Sequence, residues 1–120
     1  MDHSKMIALL LKVHQQTLEG RLAWEETEFP EVFQVAFTTN TVRIGIASSK
    51  GRGADLYYLS IYNAAGSRLE TAFHHELSDE MPDSYDVMKQ IHELARRKAM
   101  GVDQAIDKLL AELDKEKDDF

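Results

Sequence analysis

Residues 56–73 read LYYLSIYNAAGSRLETAF, and this stretch decides the fold. Leu56 to Tyr62 is a strand-length run rich in aromatic and aliphatic residues and hydrophobic on both faces, Asn63-Ala64-Ala65-Gly66-Ser67 interrupts it, and Arg68 to Phe73 is a second strand-length run. Two such runs on either side of a short glycine-containing segment mark two antiparallel strands joined by a turn. Working backwards, Val42 to Ala47 and Val32 to Phe37 are two more strand-length runs, with Thr38 to Thr41 as the turn between them. Short connections make these strands an antiparallel meander in chain order. Arg21 to Thr27 reads as a candidate edge strand with Leu22 and Trp24 on one side, and Pro30 marks a break before the sheet proper.

Outside this region the period changes to that of a helix. From Ser4 to Glu19, Ile7, Leu10, Leu11, His14 and Leu18 form one face, which Met6, Leu9 and Val13 widen. Ser4 or Asp2 suits the N-cap and Gly20 the stop. After the last strand, His74 to Asp83 reads as an acidic loop containing Pro82. A second helix is expected from Asp83 or Ser84, with Val87, Met88, Ile91, Leu94 and Ala95 as its stripe. Asp86 suits its first turn, and Arg96, Arg97 and Lys98 suit its C-terminal end. Gly101 interrupts it, Asp103 can cap a third helix, and Ile106, Leu109, Leu110 and Leu113 give that helix a narrow apolar seam. The expected fold class is α+β: an N-terminal helix, a four-stranded antiparallel meander and two C-terminal helices. It forms one domain over residues 1–113, with a charged, frayed tail at 114–120.

Alternation gives each strand two faces. Phe33, Val35, Phe37, Val42, Ile44, Ile46, Tyr57, Leu59, Ile61, Leu69 and Phe73 make the expected core face, which the helices of both chain ends must cover. The opposite face, carrying Gln34, Ala36, Arg43, Gly45, Ala47, Tyr58, Ser60, Tyr62, Glu70 and Ala72, is mixed and holds two tyrosines.

Residues 91–113, IHELARRKAMGVDQAIDKLLAEL, resemble the ending of a group of small, uncharacterised bacterial proteins. Residues 9–24 and 57–66 are similar to the helix, strand and turn of that group. The shared features are caps, seams and a turn, so the resemblance implies a fold and transfers no catalytic residue.

Composition narrows the function classes. At 120 residues the chain has room for one core, and 43% hydrophobic with 29% charged residues is an ordinary globular balance. With no cysteine, thiolate metal sites, iron–sulfur clusters and a cysteine nucleophile are excluded. A net charge of −7 disfavours phosphate backbones and anionic lipid as partners. No segment approaches the roughly 18 apolar residues of a membrane span, and a cytoplasmic protein is expected.

Several constellations invite a chemical reading and each has a plainer one. His74-His75-Glu76 suggests a metal, but adjacent residues in an extended segment point to opposite sides. Ser48 to Asp55 is glycine-rich and basic, yet lacks the spacing of a phosphate loop and precedes a strand rather than a helix. Glu93 lies within helical reach of Arg96 and Arg97, which makes a self-neutralising face there. Tyr58 and Tyr62 near Arg43 and Arg68 resemble a stacking platform, although the surroundings are acidic. Neither a nucleophile elbow nor a His-Glu-x-x-His pair is present.

The expectation is therefore an interaction module that has no catalytic residues, cofactor or metal. It would bind a dedicated protein partner or a second copy as a homodimer, with no membrane and no nucleic acid as partner. Two surfaces qualify: the sheet face around Arg43, Tyr58 and Tyr62, or the seam of Ile106, Leu109 and Leu113. The alternatives are an anion or nucleic-acid binder using Lys50, Arg52 and the two tyrosines, and a small enzyme assembled around His14, His75 or His92.

Overall fold

The computed structural model describes residues 2–47 and 55–118, with side chains described through residue 115. Helix α1 (Ser4–Leu18) leads into β1 (Glu25–Glu26), β2 (Val32–Ala36), β3 (Asn40–Ala47), β4 (Leu56–Asn63) and β5 (Arg68–Phe73). Helices α2 (His74–Leu77), α3 (Ser84–Ala99) and α4 (Val102–Asp118) complete the chain. The sheet is antiparallel throughout, in the order β1-β2-β3-β4-β5. The α+β class and the meander follow the sequence pattern. Five strands stand where four alternate in the sequence, because the candidate edge strand contributes a two-residue pairing of Glu25 with Gln34 and Glu26 with Phe33. A short helix, α2, occupies the segment whose composition reads as an acidic loop; Glu76 accepts the Phe73 N–H at 2.9 Å and so satisfies a donor at its start.

Register places Phe33 opposite Ile44 and Ile44 opposite Leu59, and that row continues to Ala72 on β5. These four side chains are buried with Leu10 of α1, Leu77 of α2, and Met88, Ile91 and Ala95 of α3. Full burial of each large aliphatic or aromatic group contributes about 2 kcal/mol, and that term holds the two long helices against one face of the sheet. His92 on α3 fastens the other end of the packing. Its Nε2–H donates to the Glu31 carbonyl at 2.9 Å, and its ring stands edge-on to Phe33 and Tyr57.

The structure corrects three expected faces. In α1 the buried residues are Leu10, Val13 and Thr17, whereas Leu11 and Leu18 are about half exposed. Thr17 is tolerated inside because its hydroxyl accepts the indole N–H of Trp24 at 3.1 Å. In β5, Ala72 rather than Phe73 faces the core, and Leu69 is exposed. A register shift opposite Ile61 and Tyr62 leaves Leu69 outside the pairing, so the strand's alternation is not continuous. Phe37 lies beyond the end of β2 and is exposed rather than buried.

The last helix departs from the rest of the fold. Gly101 has φ +61°, a left-handed conformation that ends α3 and redirects the chain. Arg97 pairs with Asp103 across this corner. Among the described elements α4 packs appreciably only on α3, and it continues as helix to Asp118, where composition alone points to a frayed tail. The molecule measures 66 × 36 × 26 Å with a radius of gyration of 17.2 Å, against about 14 Å for a compact chain of this length. A 17-residue helix is about 25 Å long, which accounts for the added length.

Candidate interaction surfaces

The face of the sheet away from α1 and α3 is organised in cross-strand rows. Val32, Gly45, Tyr58 and Phe73 form one row, and Gln34, Arg43, Ser60 and Thr71 the next. Tyr58 lies down over Gly45, the residue whose missing side chain leaves room for the ring. Its ring packs on Phe73 at 5.6 Å between centroids. Burial, followed by the neighbouring Tyr62, raises the Tyr58 phenol above its ordinary range, so the group stays neutral. Tyr58 is thus largely occupied within its own sheet.

Arg43 stands at the centre of the second row and has several partners. Its Nε donates to Gln34 Oε1 at 3.0 Å and its terminal nitrogen to Glu28 Oε1 at 2.9 Å. Gln34 in turn donates to Glu25 at 3.0 Å, and the guanidinium lies 5.0 Å from the centroid of the Tyr62 ring. Beside this network is an open cleft of about 530 Å³, lined by Asn40, Thr41, Arg43, Tyr62 and Asn63 among others. The structure therefore brings Arg43, Tyr58 and Tyr62 onto one face, but the cation is already balanced by a carboxylate. Sequence reasoning placed Gln34 on this face but missed Glu28 and Phe73 as members of it. Pairing Gln34 with Arg43 follows once the β2–β3 register is known, whereas Glu28 reaches the site from the connection between β1 and β2.

The second surface is α4. Ile106, Leu109, Leu110 and Leu113 are 43%, 57%, 54% and 61% exposed. Leucines of the same size elsewhere, such as Leu10, Leu59 and Leu77, are fully buried. Val102, Ile106, Leu109 and Leu113 follow one another at intervals of four, three and four residues, which sets them in one stripe.

The histidines are mostly engaged structurally. His14 shares a hydrogen bond with Gln90 at 2.6 Å, tying α1 to α3, and His92 is held as described above. His74 and His75 lie ring to edge at 5.7 Å, with Tyr85 4.9 Å from His74 and Phe73 5.8 Å from His75. Burial, then the charge of His75, lowers the pKa of His74. Among the described residues no three His, Asp or Glu side chains converge as a metal-ligand set. No described helix is long and apolar enough to cross a membrane. The basic loop with Lys50 and Arg52 lies outside the described residues.

No protein-family model, curated protein or solved structure matches this chain.

Proposed function

We propose that this protein is an interaction module of a bacterial cytoplasm, without chemistry of its own, that docks to another polypeptide through the apolar stripe of α4. The observation that carries this reading is the unused stripe. Its residues Ile106, Leu109 and Leu113, with Leu110 beside them, remain 43–61% exposed on a helix that the rest of the fold barely touches. Leaving them so forgoes about 1 kcal/mol each, an appreciable sum beside the 5–15 kcal/mol of a typical domain. A stripe this contiguous is the usual mark of a surface that another protein covers.

The sheet face is less favoured as a docking surface. Tyr58 packs against its own glycine bed, and Arg43 is neutralised by Glu28. An anion or nucleic-acid partner would have to displace that carboxylate against a net charge of −7.

The test is affinity capture from cell lysate with the wild-type chain, a double variant Ile106→Glu/Leu109→Glu, and Tyr62→Ser. Loss of stoichiometric polypeptide from the α4 variant alone, with its melting temperature unchanged, is the expected result. Identical eluates from wild type and the α4 variant would refute α4 as the docking element.

A further inference from the structure

We infer that α4 pairs antiparallel with the α4 of a second copy of this chain, in the register that sets Val102 against Leu113 and Ile106 against Leu109 of that copy. The inference rests on the reading of α4 as the docking element and names its partner.

The spacing of the stripe argues for a like helix. Intervals of four, three and four residues are the alternating spacing of a heptad seam over about one and a half heptads, the spacing that lets two helices meet along one stripe. In the stated register a two-fold axis passes between residues 107 and 108. Four apolar layers then form, and each of the four stripe residues is used once by each copy. A symmetric, self-complementary patch of this kind is what a two-fold dimer requires. Charge is compatible with the arrangement. Asp103 comes beside Leu110 of the second copy and Ala105 beside Glu112, so no like charges face each other across the seam. The antiparallel helix dipoles also attract.

The shape of the molecule selects the antiparallel direction. Across its long axis the molecule measures 36 × 26 Å, and α4 begins at Val102. Paired helix axes lie only about 8–10 Å apart. Parallel pairing would bring both bodies to the same end of the seam, whereas antiparallel pairing separates them by the length of the helix. It also carries the C-terminal part of each α4 past the other copy's Met100, which is 48% exposed at the α3–α4 corner.

The contact is small. Ile106, Leu109 and Leu113 with the flanking Leu110 present roughly 400 Å² per copy, below the usual size of a specific interface. A weak dimer is expected, with mass rising from one chain to two between about 1 µM and about 1 mM.

The experiment uses the full chain in two parts. Sedimentation equilibrium across that concentration range is run on wild type and on Leu109→Glu/Leu113→Glu, with melting temperature as the folding control. Because the chain lacks cysteine, Val102→Cys and Leu113→Cys can then be oxidised separately and mixed. A wild-type dimer that the glutamate pair dissociates at unchanged melting temperature, with the disulfide forming only in the mixture, bears the inference out. Disulfides within each single variant would mean parallel pairing and overturn it, as would a dimer that survives the glutamates. A chain that stays monomeric to 1 mM also overturns it. In that case capture of a different protein by α4 would leave the interaction-module reading intact, and α4-independent capture would remove both.

Discussion

Replacing Gly45 by alanine tests the packing of the open sheet face. A Cβ at this position would stand 2.5 Å from Cζ and Oη of Tyr58 and 2.8 Å from Cε2. The glycine sits in mid-strand, so the conflict is one of space and not of backbone conformation. Tyr58 has two side-chain torsions and can relieve the conflict only by swinging its ring off the sheet. A tyrosine offers roughly 200 Å² for burial. Exposing about half of it forfeits about 2.5 kcal/mol at 25 cal/mol per Å². Loss of the Phe73 contact adds about 0.5–1 kcal/mol, and the better strand entropy of alanine returns a similar amount. The net expectation is a loss of about 2–3 kcal/mol, or roughly 10 °C in melting temperature for a chain of this size. Urea denaturation followed by Trp24 fluorescence measures it, and Tyr58→Ala supplies the control background. There Gly45→Ala should be neutral or slightly stabilising, giving a coupling energy of about 2 kcal/mol between the two sites. A wild-type loss below about 0.5 kcal/mol, or the same loss in both backgrounds, would refute the reasoning.

Thr17→Val keeps the shape of a buried residue but removes the acceptor of the Trp24 indole N–H. It should cost about 1–3 kcal/mol in urea denaturation, and an unchanged midpoint would mean that the indole finds another partner. His74 gives a pH dependence whose sign follows from its lowered pKa. Between the ordinary value of 6.5 and the lower folded value, the unfolded chain binds more protons. The contribution of His74 is thus complete above pH 6.5 and is lost as pH falls below it. The melting temperature should drop on acidification from pH 7.5 to 5.5 in the wild type and drop less in His74→Asn; equal slopes would exonerate His74.

Much of the fold is legible in the sequence. Strands alternate with a period of two and helices with one near 3.6, and both periods survive in the chain because each element has one buried face. Hence Phe33, Val35, Val42, Ile44, Tyr57 and Leu59 fall on the core side by pattern and are all buried. Gly20, Gly66 and Gly101 stand at the ends of elements as their sequence positions suggest, each with positive φ.

The pattern fails where two neighbouring residues are equally apolar. Leu9, Leu10 and Leu11 lie side by side in α1, and hydrophobicity cannot say which of them points inward. The positions of α3 and Trp24 decide it: Leu10 is fully buried and Leu11 is half exposed. In β5 the larger Phe73 is the natural core candidate. The paired strand instead sends it to Tyr58 on the open face and leaves Ala72 against Leu59. Apolar area is buried either way, so transfer energy alone does not distinguish the two faces.

The surfaces divide in the same manner. The seam of Ile106, Leu109 and Leu113 was visible as spacing, and so were the tyrosines at 58 and 62. Local sequence determined the class of the fold, the order of its elements and the existence of an apolar stripe on α4, because these depend on periodicity and on turn chemistry over a few residues. Only the tertiary structure decided that the stripe is left bare while Tyr58 is bedded on Gly45 and Arg43 is neutralised by Glu28. Those outcomes depend on which distant segments come to lie beside each residue, and backbone register and the corner at Gly101 determine that.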